Sequence, residues 1–371
     1  MTTYRLTPLA ASLPSTVPFV GPEAQERARR RPFQARIGAN ESVFGPSPDV
    51  LAAMARTDHQ NYGDPENHDL RVALAAHHGV TPDNIVVGEG IDGLLGYVVR
   101  LFVGPGDAVV TSDGAYPTFN YHVAGFGGQI HKVAYADDRE DMAALFARAA
   151  EVEAKLVYLA NPDNPMGSWH KGTDIVAALD ELPGGTLLVL DEAYADCAPD
   201  DAIPHIAIED PRVIRMRTFS EAYGMAGARV GYALAPAELA SAFNKVRNHF
   251  GVNRAAQNGA LAALRDQAHL RDVLAKIEVA RRRISDIAGE NGLTALPSAA
   301  NFVAIDCGGD GTFAKAVLDG LIARDIFVRM PFAAPQNRCI RISCGTDADL
   351  DAFAAALPPA LAEARDHTES R

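Results

Sequence analysis

Several residues of this chain have the types and spacing to do chemistry. Val87-Gly88-Glu89-Gly90-Ile91-Asp92-Gly93 follows a short β-type run and opens a helical one. A helix start of this kind offers unpaired N–H groups and a positive dipole end, so it favours an anion. The spacing also matches GxGxxG, and Asp107 stands near the distance of a ribose-contacting acid, which makes nicotinamide dinucleotide binding a competing reading. The motif sits late in the chain behind a helical pair, and this disfavours it. Asp191 ends an apolar run that begins at Thr186. A buried aspartate without a partner is costly, so a cationic ligand there would account for it. Thr218 and Ser220 offer hydroxyls. Arg229, between Ala228 and Val230, offers a fork-shaped cation that a solvated face does not explain. Alternation in Cys339-Ile340-Arg341-Ile342-Ser343 puts Arg341 on the face opposite Ile340 and Ile342.

Those residues need a scaffold, and the pattern around them supplies one. Helical and strand-like segments alternate from Asp49 to Ala233. The runs Lys155–Ala160, Thr186–Asp191, Val213–Phe219 and Val230–Ala233 have the length and apolar content of buried parallel strands. This predicts an α/β fold: a mostly parallel sheet flanked by helices. Ligand loops then gather at the strand carboxyl ends. After Asn248 the texture changes to long helices, Asn253–Leu264 and His269–Asn291, then a smaller α+β layer with strands near 301–305 and 339–343. The expected division is an arm over 1–48 joining the small domain, a large domain over 49–265 and a small C-terminal domain over 266–371. Ser47 and Pro48 are placed to cap and start a helix. Asp366–Arg371 is expected to fray.

Composition narrows the function classes. The 371 residues are 48% hydrophobic and 22% charged, an ordinary globular balance. The formal net charge of −13 argues against a nucleic-acid partner. The basic cluster Arg27, Arg29, Arg30, Arg31 is taken as a solvated helix end. Four cysteines without a CxxC pair point to reduced thiols and a cytoplasmic location, with no metal site expected. No apolar run has transmembrane length, so no membrane role is expected.

Taken together, the motifs resemble fold-type I pyridoxal 5′-phosphate (PLP) aminotransferases, in particular the histidinol-phosphate aminotransferase-like group of the class I/II family. The likeness rests on Asn40-Glu41-Ser42, Asn61-Tyr62-Gly63-Asp64-Pro65, Gly88-Glu89-Gly90-Ile91-Asp92, Ala115-Tyr116-Pro117, Asn161-Pro162-Asp163-Asn164-Pro165, Asp191-Glu192-Ala193-Tyr194, Thr218 to Gly231 and Arg341-Ile342-Ser343. It spans nearly everything beyond about residue 33. By this resemblance, Gly90, Ile91, Asp92, Thr218, Ser220 and Arg229 hold the cofactor phosphate. Tyr116 lies on the ring face, Asp191 meets the ring nitrogen, and Asn164 and Tyr194 reach its phenolic oxygen. Tyr62 reaches the phosphate of a partner subunit, which implies a homodimer. Arg341, Arg329 and Asn40 face the substrate, a small amino acid or amino-phosphate, with a 2-oxo acid as acceptor. Ile91 and Met166 stand where the family carries hydroxyl residues.

One landmark departs from the family. The pattern T-F-S-K-x-x-G-L-A-G-x-R-x-G carries a lysine that holds the cofactor covalently and moves the substrate proton. Here the segment is Thr218-Phe219-Ser220-Glu221. A carboxylate cannot form that bond. The substitution implies non-covalent PLP and an aminotransferase that is inactivated or impaired. A catalytically silent homologue that binds PLP, pyridoxamine phosphate or an amino acid is the alternative. None of the six lysines lies in a comparable segment.

Overall fold

The computed structural model describes residues 4–15 and 20–369. Its main sheet has seven strands in the order Ile85–Gly88, Gly231–Leu234, Val213–Thr218, Leu187–Asp191, Leu156–Ala160, Ala108–Ser112 and Gln129–Val133. Strands Val213–Thr218 through Gln129–Val133 pair in parallel. Gly231–Leu234 runs antiparallel to both of its neighbours, which corrects the expectation of a parallel strand there. The segment returning from Thr218 carries only a 3-10 turn, Ala226–Ala228, and no crossover helix. A chain that returns without a crossover must pair antiparallel.

The apolar runs are explained by cover on both faces. Leu156–Ala160 and Leu187–Asp191 are buried at every position. Val109, Tyr158 and Val189 pack with Leu94, Leu95, Val98 and Val99 of helix Gly90–Phe102 on one side. Val110, Val157 and Leu188 pack with Leu145, Phe146 and Ala149 of helix Met142–Glu151 on the other. The period of two along each strand therefore feeds two helical layers, and each such Leu or Val contributes about 1.5–3 kcal/mol by leaving water.

A smaller layer follows. Cys339–Ser343, Phe302–Asp306 and Thr294–Ala295 form an antiparallel sheet. It packs against helices Gln267–Glu290, Gly311–Ala323 and Asp347–Glu369. The arm is stitched to this layer, because Ala35–Arg36 pairs with Ile326–Phe327. Arg29 is not a solvated helix end. It ion-pairs with Asp325 and lies 4.3 Å over the Phe33 ring, so it ties the arm down. The last helix runs to Glu369, beyond the point where fraying was expected at Asp366. Ser47 does cap its helix, accepting from Val50 N–H at 3.3 Å, with Pro48 at the first helical position. All four cysteines are unpaired and buried. Among the described residues no helix is long and apolar enough to cross a membrane, and no cluster of metal-ligating side chains occurs.

Candidate active site

The carboxyl ends of the parallel strands open into a cavity of about 470 Å³. Asp191, the last residue of its strand, lies on the floor. Its Oδ2 accepts from Tyr158 Oη at 2.7 Å and its Oδ1 from Ala193 N–H at 3.0 Å. Burial pushes its carboxyl up to about 6, and the two donors oppose that rise. Tyr158 had no role in the sequence reading. The available signal was a phenol in an otherwise apolar strand, since a buried tyrosine hydroxyl finds a partner.

Tyr116 and Ala193 line the same cavity as Asp191. Tyr116 Oη donates to Asp92 Oδ1 at 2.9 Å. Burial, reinforced by Asp92, raises this phenol well above its usual range. Tyr194 Oη accepts from Asn164 Nδ2 at 3.2 Å and from Asn40 Nδ2 at 2.9 Å. Asn40 is buried with φ 60°. Ser343 Oγ donates to its side-chain oxygen at 3.0 Å, and Asn301 Nδ2 to its carbonyl at 2.8 Å.

The anion end is built from backbone and hydroxyls. Helix Gly90–Phe102 starts without a side-chain cap, so its first N–H groups are open to a ligand. Gly90 has φ 71°, and a Cβ there would meet the Arg229 guanidinium at 2.6 Å, which requires glycine. Gly90 itself does not line the cavity, whereas Ile91, Asp92, Thr218, Ser220 and Arg229 do. Thr218 Oγ1 donates to Ser220 Oγ at 2.9 Å. Arg229 Nη2 donates to Asp92 Oδ2 at 3.0 Å and Nη1 to Ala226 O at 3.1 Å. Asp92 thus brings a carboxylate to this end as well as a backbone N–H.

Two further arginines, Arg341 and Arg329, line the cavity. Arg341 Nη1 donates to Asn164 Oδ1, and Nη2 to Gly38 O at 3.2 Å. Its Nε is buried without a partner among the described residues. Burial lowers its pKa to about 10. Ile340 and Ile342 are fully buried on the other face, as alternation required. Arg329 N–H and C=O pair with the backbone of Arg341, and Arg329 Nη2 donates to Val20 O at 3.0 Å. Glu41 and Phe332 also line the cavity. Neither had a role in the sequence reading, although Glu41 lies in a quoted motif.

Glu221 lies in the same cavity, in the loop after strand Val213–Thr218. Gly224, three residues on, has φ 67°, and a Cβ there would meet the Gly45 carbonyl carbon at 2.4 Å, so the loop is locked against the arm. The residue keeps some exposure towards the cavity, but Oε2 is sealed and has no partner among the described residues. Burial first, then the charge of Asp191, push its carboxyl up to about 8, while its own N–H and Arg229 oppose the rise.

Two further buried acids support the wall. Glu140 accepts from Ser112 Oγ at 2.5 Å and from Ala160 N–H at 2.8 Å. Asp163 accepts from Tyr135 Oη at 2.9 Å and Met166 N–H at 3.0 Å, and burial pushes it up to about 7. They brace the turn that presents Asn164. Tyr62 is not at the cavity. It is 79% exposed and lies 4.9 Å from the Phe250 ring.

Residues 34–357 match the family described as aminotransferase class I and II. The chain belongs to that family, as a fold-type I pyridoxal-phosphate aminotransferase of the histidinol-phosphate kind. Histidinol-phosphate aminotransferase 1 of Mesorhizobium japonicum is 34% identical over 335 residues, covering 88% of this chain and 90% of that protein. Histidinol-phosphate aminotransferase 2 of Caulobacter vibrioides is 35% identical over 347 residues, covering 91% and 89%. The crystal structure of histidinol-phosphate aminotransferase from Sinorhizobium meliloti in complex with pyridoxal-5′-phosphate superposes with a TM-score of 0.94 at 56% identity, covering 97% of this chain and 98% of that one.

Proposed function

We propose that this chain is an aminotransferase of the histidinol-phosphate/aromatic type that holds PLP without a covalent bond, and that Glu221 removes most of its amine transfer. The observation that carries this is the position of Glu221 in the cavity beside an otherwise complete donor set. The cavity fits the cofactor in three respects. The uncapped helix start with Thr218, Ser220 and Arg229 suits a phosphate dianion. The cavity lining, which includes Tyr116 and Ala193, suits a flat ring. Asp191, held by Tyr158, suits a protonated ring nitrogen. It does not fit a covalent anchor at 221.

When bound, PLP supplies an electron sink for the carbon that loses its proton. The chain's own residues do the rest. Asp191 would keep a proton on the ring nitrogen, and Asn164 and Tyr194 would hydrogen-bond the phenolic oxygen. Arg341, with Arg329 and Asn40 beside it, grips the anionic group of an amino acid, an amino-phosphate or the accepting 2-oxo acid. The proton relay is the missing part. A carboxyl that burial keeps protonated near neutral pH is a poor acceptor for the substrate proton.

By the same reading the chain works as a cytoplasmic homodimer in which Tyr62 completes the partner's phosphate site. Residues 49–265 form the cofactor domain, and 1–48 joins 266–371. The test is Glu221→Lys, assayed for amine transfer from histidinol phosphate and from aromatic amino acids to a 2-oxo acid. A rise of at least about a hundredfold, of the size a positioned acid–base group contributes, is expected. A variant that takes PLP covalently yet stays inert would sink this reading in favour of a silent binding homologue.

A further inference from the structure

We infer that Glu221 makes the site selective for the amine form of the cofactor, pyridoxamine 5′-phosphate, over the aldehyde form. The inference rests on the cofactor site proposed above and concerns what residue 221 does there. Asp191 faces Glu221 from its strand, Tyr194 and Cys197 from the segment after it, Asp92 from the helix, and Arg229 from the following loop. Two of these groups can carry negative charge beside Glu221, Asp191 and Asp92, which makes three carboxyls in all. Arg229 is the cation on that side, and its guanidinium is already engaged by Asp92 and Ala226 O. Arg341 is engaged by Asn164 and Gly38 O. Glu221 Oε2 has no hydrogen-bond donor among the described residues, and Arg229 acts on it only through space.

A buried carboxylate oxygen without a donor costs about 1–3 kcal/mol or more, so a ligand that brings a donor is favoured. A primary ammonium brings three N–H donors and a positive charge in direct contact. An aldehyde oxygen only accepts, and it would face a carboxylate that also only accepts. Protonation of Glu221 allows one neutral hydrogen bond to that oxygen, which is the weaker kind. Near neutral pH the free amine is already an ammonium, so forming the ammonium–carboxylate pair releases the carboxyl proton of Glu221 to solvent. Lysine at 221 would reverse the preference, since its amine would repel an ammonium and bond to an aldehyde.

The test uses the full chain, dialysed free of cofactor and titrated separately with pyridoxamine 5′-phosphate and with PLP by calorimetry at one pH near neutrality. The expected Kd is at least about tenfold lower for the amine form, equivalent to about 1.4 kcal/mol. Glu221→Gln, which keeps the shape and loses the charge, should bring the two values within about threefold of each other. Glu221→Ala should do the same if the Gln variant folds poorly. Equal or tighter binding of PLP by the unaltered chain overturns the inference and leaves the cofactor site standing. A preference that survives in both variants also overturns it. Failure of both compounds to bind overturns the cofactor site and the inference together.

Discussion

Tyr158 Oη donates to Asp191 Oδ2 at 2.7 Å across two adjacent parallel strands. The register pairs Ala160 with Asp191, so the phenol reaches forward from two residues behind the strand end to hold the carboxylate. Among the described residues it is one of two donors that oppose the burial of Asp191. Tyr158→Phe removes it with little change of shape. A hydrogen bond to a charged group contributes about 1.5–3 kcal/mol, so PLP affinity should fall about tenfold or more. Titration of both proteins with PLP decides this, and an unchanged Kd would deny Tyr158 the role.

The buried acids predict how stability depends on pH. Burial raises Asp163 to about 7 and Glu221 to about 8, both above the values of an unfolded chain. From about pH 4.5 to these values the folded state binds protons that the unfolded state has released. Stability therefore falls as pH rises through that range. The half-buried histidines His78, His122 and His170 oppose this, because their lowered pKa values make stability rise with pH, but only up to the ordinary histidine pKa near 6.5. The decline should be visible between about pH 6.5 and 8, at up to ~1.4 kcal/mol per pH unit for each group that titrates. Urea unfolding of the cofactor-free chain at pH 6.5 and pH 8 should give the lower midpoint at pH 8. Glu221→Gln should reduce the difference. A midpoint that rises across this window would show that Glu221 is ionised throughout.

Much of this architecture was legible because the chemistry sits at element ends. Asp191 closes an apolar run, Gly90 opens a helix and Arg341 alternates with two isoleucines, so each was placed by local pattern alone. Elements of low contrast were not placed. The edge strand Gln129–Val133 has a half-exposed, mixed sequence, and the short helices Gly172–Ala178 and Ala237–Ala242 lack a long apolar stripe. Strand direction at Gly231–Leu234 was also missed, since composition does not encode whether a chain crosses over or turns back. Tyr158, Glu140 and Asp163 escaped because their roles come from tertiary neighbours that no spacing reveals. Tyr158 faces Asp191 only once the strands are in register.

Arg341 carries the next prediction. Its Nη1 and Nη2 are held by Asn164 and Gly38 O, and Nε is the donor left without a protein partner. Lysine has no fork and cannot keep both holding contacts while offering a third donor. Arg341→Lys should weaken binding of histidinol phosphate and of 2-oxoglutarate by at least about tenfold, with PLP affinity changed by less than about threefold. Equal losses for substrate and cofactor would mean that Arg341 only braces Asn164.

Tyr62 tests the shared site. Its ring is exposed, packs against the half-exposed Phe250 and lies away from the cavity of its own chain. If it serves a partner, the chain sediments as a dimer and Tyr62→Ala lowers PLP affinity by about tenfold, the loss of one charge-assisted hydrogen bond. Arg229→Ala weakens the same site from within the chain. In an isologous dimer the two defects fall on opposite sites of one mixed molecule or on the same site. If Tyr62 acts across the two-fold, each mixed dimer carries one intact site and one doubly defective site, whereas action within its own chain leaves a single defect in each site. Random re-association of the two variants should restore tight PLP binding at about one site in four. Recovery at that level requires Tyr62 to act across the two-fold. No recovery, with the mixture confirmed as dimeric, would place its effect within its own chain.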